Sequence, residues 1–149
     1  MRKITPCLAC GGCEKTGLCV IQDDMQELYP QIDRADRLVL VSPIYFYGVT
    51  ALLKAFIDRS QAQWSRKYLL RQRQLSGVPR IGYLVSAAAT KGEKVFDGAI
   101  LTAQYALDAM DFKYGGGLLV KGVDRKGAVK EFPDELEWAR QFGRKIAGD

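Results

Sequence analysis

Four cysteines within thirteen residues constrain this chain more than any other feature. Cys7, Cys10, Cys13 and Cys19 are its only cysteines, with two residues between the first pair, two between the next and five before the last. One short loop therefore carries every thiol, and such crowding calls for a group with several ligand corners. A C-x2-C-x2-C run wraps three adjacent corners of a [4Fe-4S] cube, one thiolate per iron, and the fourth thiolate can come from slightly further on. Gly11, Gly12 and Gly17 suit a backbone that turns sharply and brings amides toward sulfur, and such amides tune a cluster's potential. Two other occupants stay open on spacing alone. A structural zinc ion takes four thiolates, usually as two knuckles with a longer loop between them, which this regular spacing fits less well. Two disulfides would need an oxidising compartment, and residues 1–6 contain no apolar run of signal-peptide length.

With 149 residues, the chain has room for one domain and a single core. A hydrophobic fraction of 48% is too high for a disordered tail. No stretch has the length of a membrane span and no targeting segment is visible, so a cytoplasmic protein in a reducing compartment is expected, with no membrane partner. The formal net charge of +5 is mildly basic, and no nucleic-acid signature accompanies it, so nucleic acid is not an expected partner. Histidine is absent, which excludes His general bases, His metal ligands and Rieske-type ligation.

After residues 1–24, residues 25–149 read as an α/β core. Asp23 can cap a helix and Gln26 can complete a capping box. Met25, Leu28, Tyr29 and Ile32 then fall on one helical stripe, with Pro30 expected to kink or restart the helix. The apolar run Leu38 to Val41 reads as a strand buried on both faces. Leu52, Leu53, Phe56 and Ile57 mark a helix over Val49 to Arg59, and Gly77-Val78-Pro79 breaks the chain before a second strand, Ile81 to Val85. A helix over Phe96 to Met110 leads through Gly115-Gly116-Gly117 to a third short strand, Leu118 to Val120. The last helix starts at Pro133, with Asp134 and Glu135 at its positive end, Arg144 and Lys145 at its negative end, and Gly148 closing it. Strands alternating with helices predict a parallel sheet with helices on both faces, a three-layer sandwich.

Ligands collect beyond the carboxyl ends of parallel strands, which selects two loops. Ser42-Pro43-Ile44-Tyr45-Phe46-Tyr47-Gly48 leads a strand into a helix with three consecutive aromatics, and Ser86-Ala87-Ala88-Ala89-Thr90-Lys91-Gly92 is small and pliable. Such a pair can hold a flat apolar ring, with Tyr45 or Phe46 on its face and loop amides on its polar edge; equally, the aromatics can seal the end of the core.

The cysteine block followed by Asp23-Asp24-Met25, then Ser42-Pro43-Ile44-Tyr45-Phe46 and Lys54-Ala55-Phe56-Ile57-Asp58-Arg59, resembles the iron-sulfur flavoproteins of the NADPH-dependent FMN reductase group. The resemblance implies a flavodoxin-like fold, a [4Fe-4S] cluster on Cys7, Cys10, Cys13 and Cys19, and electrons exchanged between cluster and flavin, often across a subunit interface. It also implies an FMN ring at Ser42, Pro43, Ile44, Tyr45, Phe46 and Gly48, and at Ala87, Ala88 and Thr90. Members of that group open with a strand and a loop that binds the FMN phosphate, and this sequence starts after that point, giving a truncated flavodoxin-like sandwich. The strand next to Leu38 to Val41 is then expected to be replaced in one of two ways: Met1 to Thr5 moves into its place, or another chain covers that edge.

Arg66, Lys67, Arg71, Arg73 and Arg80 gather around Trp64 and Tyr68, a basic aromatic run that reads either as a docking surface for an acidic electron carrier or as a solvated helix face. The expected task is electron transfer, with a ferredoxin-like protein or a flavoprotein as redox partner and a homo-oligomer as the working form. A flavin-free carrier or interaction module and a structural four-cysteine zinc module are the alternatives.

Overall fold

Three apolar runs become the strands of one parallel sheet. The computed structural model describes residues 2–72 and 77–148, and in it β1 (Arg37–Pro43), β2 (Ile81–Ala88) and β3 (Lys113–Lys121) lie in the order β1-β2-β3. The register sets Leu40 beside Leu84 and Ser42 beside Ser86. Helix α1 (Met25–Arg34) precedes β1. From β1 to β2 the chain passes through α2 (Ala51–Arg59) and α3 (Gln61–Trp64), the latter continuing into a wide π-helical turn over Ser65–Leu69. Helix α4 (Asp97–Ala109) joins β2 to β3, and α5 (Pro133–Ala147) ends the domain.

The expected helices form, with longer strands than the apolar runs alone mark. β3 extends back through Gly115-Gly116-Gly117, and at Gly115 Ile81 and Tyr83 of β2 fill the space that a side chain would occupy. α1 runs through Pro30, the sixth of its ten residues, without restarting, although the proline there forfeits an intrahelical bond. Only half of the expected capping box forms, with Asp23 accepting the Met25 amide. The Gln26 amide instead donates to the carbonyls of Cys19 and Ile21, 3.0 and 2.7 Å away, and Asp23 takes further donors described below.

Leu40 and Leu84 project to one face of the sheet, where Met25 and Ile32 of α1, Ile57 of α2 and Ala103 and Leu107 of α4 complete a buried core. Burying such side chains stabilises the fold by about 1.5–3 kcal/mol each. On the opposite face α5 packs over β2 and β3, with the Phe142 ring edge-on to Tyr83 at 5.5 Å. It does not reach β1, so Val39 and Val41 are 37% and 66% exposed. Among the described residues β2 is the only strand beside β1. Residues 2–5 do not fill the gap: the amides of Lys3 and Thr5 donate to Asp24 and Asp23, which holds this segment at the start of α1.

Three cations of the basic run are engaged within the domain. Arg66 is bidentate to Asp33, Lys67 pairs with Asp108 and Asp111, and Arg80 is buried, donating to the carbonyls of Ile32, Ala35 and Met110 beneath the Phe112 ring. These cations tie α1, the π turn and α4 together; Arg73 lies outside the described residues.

Helix α4 packs tightly on the sheet at Gly82, where a Cβ would stand 2.2 Å from Cδ2 of Leu107. Gly82→Ala is expected to destabilise the domain by about 1–3 kcal/mol through overpacking, read as a lower melting temperature by circular dichroism.

Candidate metal centre and flavin loops

The cysteine loop folds into a shallow bowl on the carboxyl end of α2. Cys7, Cys10, Cys13 and Cys19 all line one cavity of about 360 Å³, whose remaining wall includes Leu8, Val20, Asp58, Arg59 and Gln61. Cys10 is exposed and the other three are half-buried, so the bowl opens to solvent. Ala9 and Gly11 adopt left-handed backbone, at φ 50° and 70°, which turns the chain between successive cysteines. Gly17 is required twice over: its φ is 69°, and a Cβ there would meet Cβ of Arg66 at 2.9 Å. The loop is thereby pressed onto the π turn, and the Gly17 amide donates to the Cys13 carbonyl at 2.8 Å.

Arg59 closes the loop. Its guanidinium is fully buried, donates to the Thr5 carbonyl at 2.9 Å and to the Ile21 carbonyl at 3.2 Å, and pairs with Asp23 at 2.6 Å. The two ends of the cysteine segment are thus gathered on one side chain. Asp23 accepts further bonds from the amides of Thr5 and Met25, at 2.8 and 3.0 Å. Burial alone would push the Asp23 carboxyl up, but the Arg59 hydrogen bond and those two amides outweigh it and hold the group at about 2. Burial likewise opposes the Arg59 charge, and Asp23 more than restores it. The Tyr29 hydroxyl donates to the Arg59 carbonyl at 2.8 Å, and burial, with Cys19 nearby, raises its pKa well above the ordinary phenol value.

The donor set fits an iron-sulfur cluster. Four thiols share one cavity with no imidazole to compete, and the Nε of Arg59, buried in its wall, has no hydrogen-bond partner. A guanidinium in the wall of a thiol-lined cavity suits an anionic group through its charge. Among the described residues, no three Cys, Asp or Glu side chains converge closely enough to hold a single metal ion.

The two loops expected to hold a flavin ring meet at the carboxyl ends of β1 and β2. The Ile44 amide donates to the Ala87 carbonyl at 2.9 Å, and Ser86 Oγ to the Ser42 carbonyl at 2.7 Å. Ser42, Pro43 and Ala87 border an apolar groove under α5, whereas the Ala88 side chain is buried against Val95 and Phe96. Tyr45 and Gly48 exchange both backbone bonds at 3.0 Å, forming a tight turn whose central residues Phe46 and Tyr47 both take left-handed backbone, at φ 50° and 63°. Such turns favour Asn-Gly; aromatics there store about 1–2 kcal/mol each. Phe46 is fully exposed, and Tyr45, Tyr47 and Thr90 are exposed as well. The amides of Ile44, Tyr45 and Gly48 are already bonded within the two loops.

Sequence reasoning singled out the four thiols but not Arg59 or Ser65 beside them. Arg59 sits on an ordinary amphipathic helix, and nothing in its spacing announces that it turns back to the loop.

Residues 2–96 match the profile of the family described as NADPH-dependent FMN reductase. An iron-sulfur flavoprotein of Methanocaldococcus jannaschii is 42% identical over 150 residues, covering 98% of this chain and 75% of its own length. Another, from Archaeoglobus fulgidus, is 32% identical over 148 residues, covering 98% of this chain but 60% of its own length. The structure of the Trp repressor binding protein from Bacillus subtilis superposes with a TM-score of 0.61 at 23% identity, covering 78% of this chain and 68% of that one. That likeness is one of fold, the flavodoxin-like α/β sandwich. No helix among the described residues is long and apolar enough to cross a membrane.

Because the folded Asp23 carboxyl titrates at about 2 and an unfolded aspartate at about 3.9, the pair's stabilisation is complete above about pH 4 and is lost as the pH falls toward 2. Melting curves of the wild type and Asp23→Asn are expected to be separated at neutral pH and to converge over that acid window. Arg59→Leu, which leaves Asp23 buried without its partner, is expected to cost roughly 3–5 kcal/mol at neutral pH, measured by urea unfolding.

Proposed function

Because this chain belongs to the NADPH-dependent FMN reductase family, we propose that it is an electron-transfer protein whose cysteine loop holds a [4Fe-4S] cluster on Cys7, Cys10, Cys13 and Cys19. The observation that carries the reading is the single cavity lined by all four thiols, with the Arg59 guanidinium in its wall. A cluster bound there supplies one-electron chemistry, and no acid-base pair is required of the side chains. What the chain's own residues do is hold, shield and expose: Arg59 fixes the loop ends, the π turn backs Cys13, and Cys10 faces outward. Leu8, Leu18 and Val20, each more than half exposed, form an apolar rim fit for a redox partner such as a ferredoxin-like protein or a flavoprotein.

In this reading an FMN ring lies against Tyr45 and Phe46, and the stored strain of that turn supports a ligand-facing role. The turn precedes α2 and the cysteine bowl sits at its far end, so the two are separated by the length of a nine-residue helix, roughly 14 Å at 1.5 Å per residue. The exchange in this reading runs between cluster and flavin of different chains. The bare β1 edge and the exposed Val39 and Val41 give an assembly a second motive.

Anaerobically reconstituted wild-type protein and the four single Cys→Ser variants test the cluster. Each variant is expected to lose most of the iron and the broad visible absorption of the wild type; an unchanged iron content in any one removes that residue as a ligand. Light scattering is expected to report more than one chain per particle, and a monodisperse monomer contradicts the assembly.

A further inference from the structure

Cys13 is backed by a side chain from the π-helical turn behind it. Its Sγ lies 3.4 Å from Oγ of Ser65, which is 0% exposed and opens the π-helical turn. A thiolate has no proton to give, so once Cys13 is a ligand the hydroxyl must be the donor. Serine in a helix commonly returns its hydroxyl to the carbonyl one turn earlier. Here the hydroxyl's partner is Cys13 Sγ instead, and the Ser65 carbonyl accepts from Leu70 five residues on. Widened turns of this kind often mark functional sites. The loop cannot drift from the donor, because Gly17 packs directly on Arg66, the next residue of the same turn, and its amide bonds the Cys13 carbonyl.

We propose that Ser65 sets the reduction potential of the cluster by donating a hydrogen bond to the Cys13 thiolate. The proposal rests on the cluster reading above. Reduction adds one electron, from a low-potential donor such as dithionite, and breaks no bond. The extra negative charge spreads onto the thiolates, so a hydrogen bond to sulfur is stronger in the reduced state than in the oxidised one. Ser65 therefore favours the reduced cluster and raises its potential. It is a positioning residue: it touches a ligand and not the iron.

The test is a redox titration of the anaerobic holoprotein, followed by optical and electron paramagnetic resonance spectra, for the wild type, Ser65→Ala and Ser65→Thr. Ser65→Ala is expected to retain wild-type iron while its reduction equilibrium shifts about tenfold toward the oxidised cluster, which is about 59 mV more negative for one electron. Ser65→Thr, which keeps the hydroxyl, is expected to recover most of that shift. Equal potentials in the wild type and Ser65→Ala overturn the proposal. So does a Ser65→Ala protein that loses its iron at an unchanged melting temperature, since the residue then serves assembly and not tuning. A wild-type protein that takes up no iron removes the cluster reading itself, a failure visible before any variant is made.

Discussion

The buried ion pair between Arg59 and Asp23 is the interaction on which the rest of the candidate site depends. A loop with four thiols and several tight turns has little apolar surface with which to hold itself in place, so its ends must be fixed from outside. Arg59 does this with one planar group that reaches Thr5, Ile21 and Asp23 together. A lysine could not, because an ammonium offers no rigid fork. Burying two charges costs several kcal/mol per ion, and the cost is offset only when the geometry is good and the remaining donors and acceptors are bonded. Asp23 meets that condition through two backbone amides, and Arg59 meets it except at Nε, which is buried without a partner.

From Arg59 the organisation runs along one continuous helical stretch. Residues 51–69 have the strained Tyr45–Gly48 turn before their first residue, the loop clamp near their middle, and the Cys13-backing hydroxyl near their end. Ile57 anchors this stretch in the core beneath β1 and β2, so both candidate cofactor positions are referenced to the sheet. Function is placed where rigid elements end, and the exposed surface above them, Leu8 and Val20 on one side and Phe46 on the other, is free of the salt bridges that tie α1 to the π turn and the π turn to α4.

Much of this was legible in the sequence because it follows from period and spacing. The apolar runs at Leu38 and Ile81 mark strands, but only β2 is buried on both faces; β1, expected to be buried on both, leaves Val39 and Val41 exposed because no element covers that face of it fully. The cysteine spacing puts all four thiols on one loop, where they line one cavity. What escaped was what tertiary contacts decide. Asp23 and Gln26 have the pattern of a capping box, but only half of it forms: Asp23 accepts the Met25 amide on one oxygen and the buried Arg59 guanidinium on the other, while two loop carbonyls draw the Gln26 amide away. The basic residues from Arg66 to Arg80 look like a surface patch, but their partners, Asp33, Asp108 and three helix-end carbonyls, lie at least thirty residues away in sequence. β3 was underestimated because a strand lined by Gly115 and Gly117 carries no apolar signal of its own; its packing comes from β2.

If the four thiols and the Arg59 clamp house an iron-sulfur cluster, its composition and its response to one electron are both measurable. The decisive experiment is metal and sulfide analysis of the anaerobically purified protein, paired with electron paramagnetic resonance after dithionite reduction. About four irons and four sulfides per chain are expected, with a paramagnetic signal that appears on one-electron reduction. A colourless protein with zinc, no acid-labile sulfide and no such signal would refute the cluster.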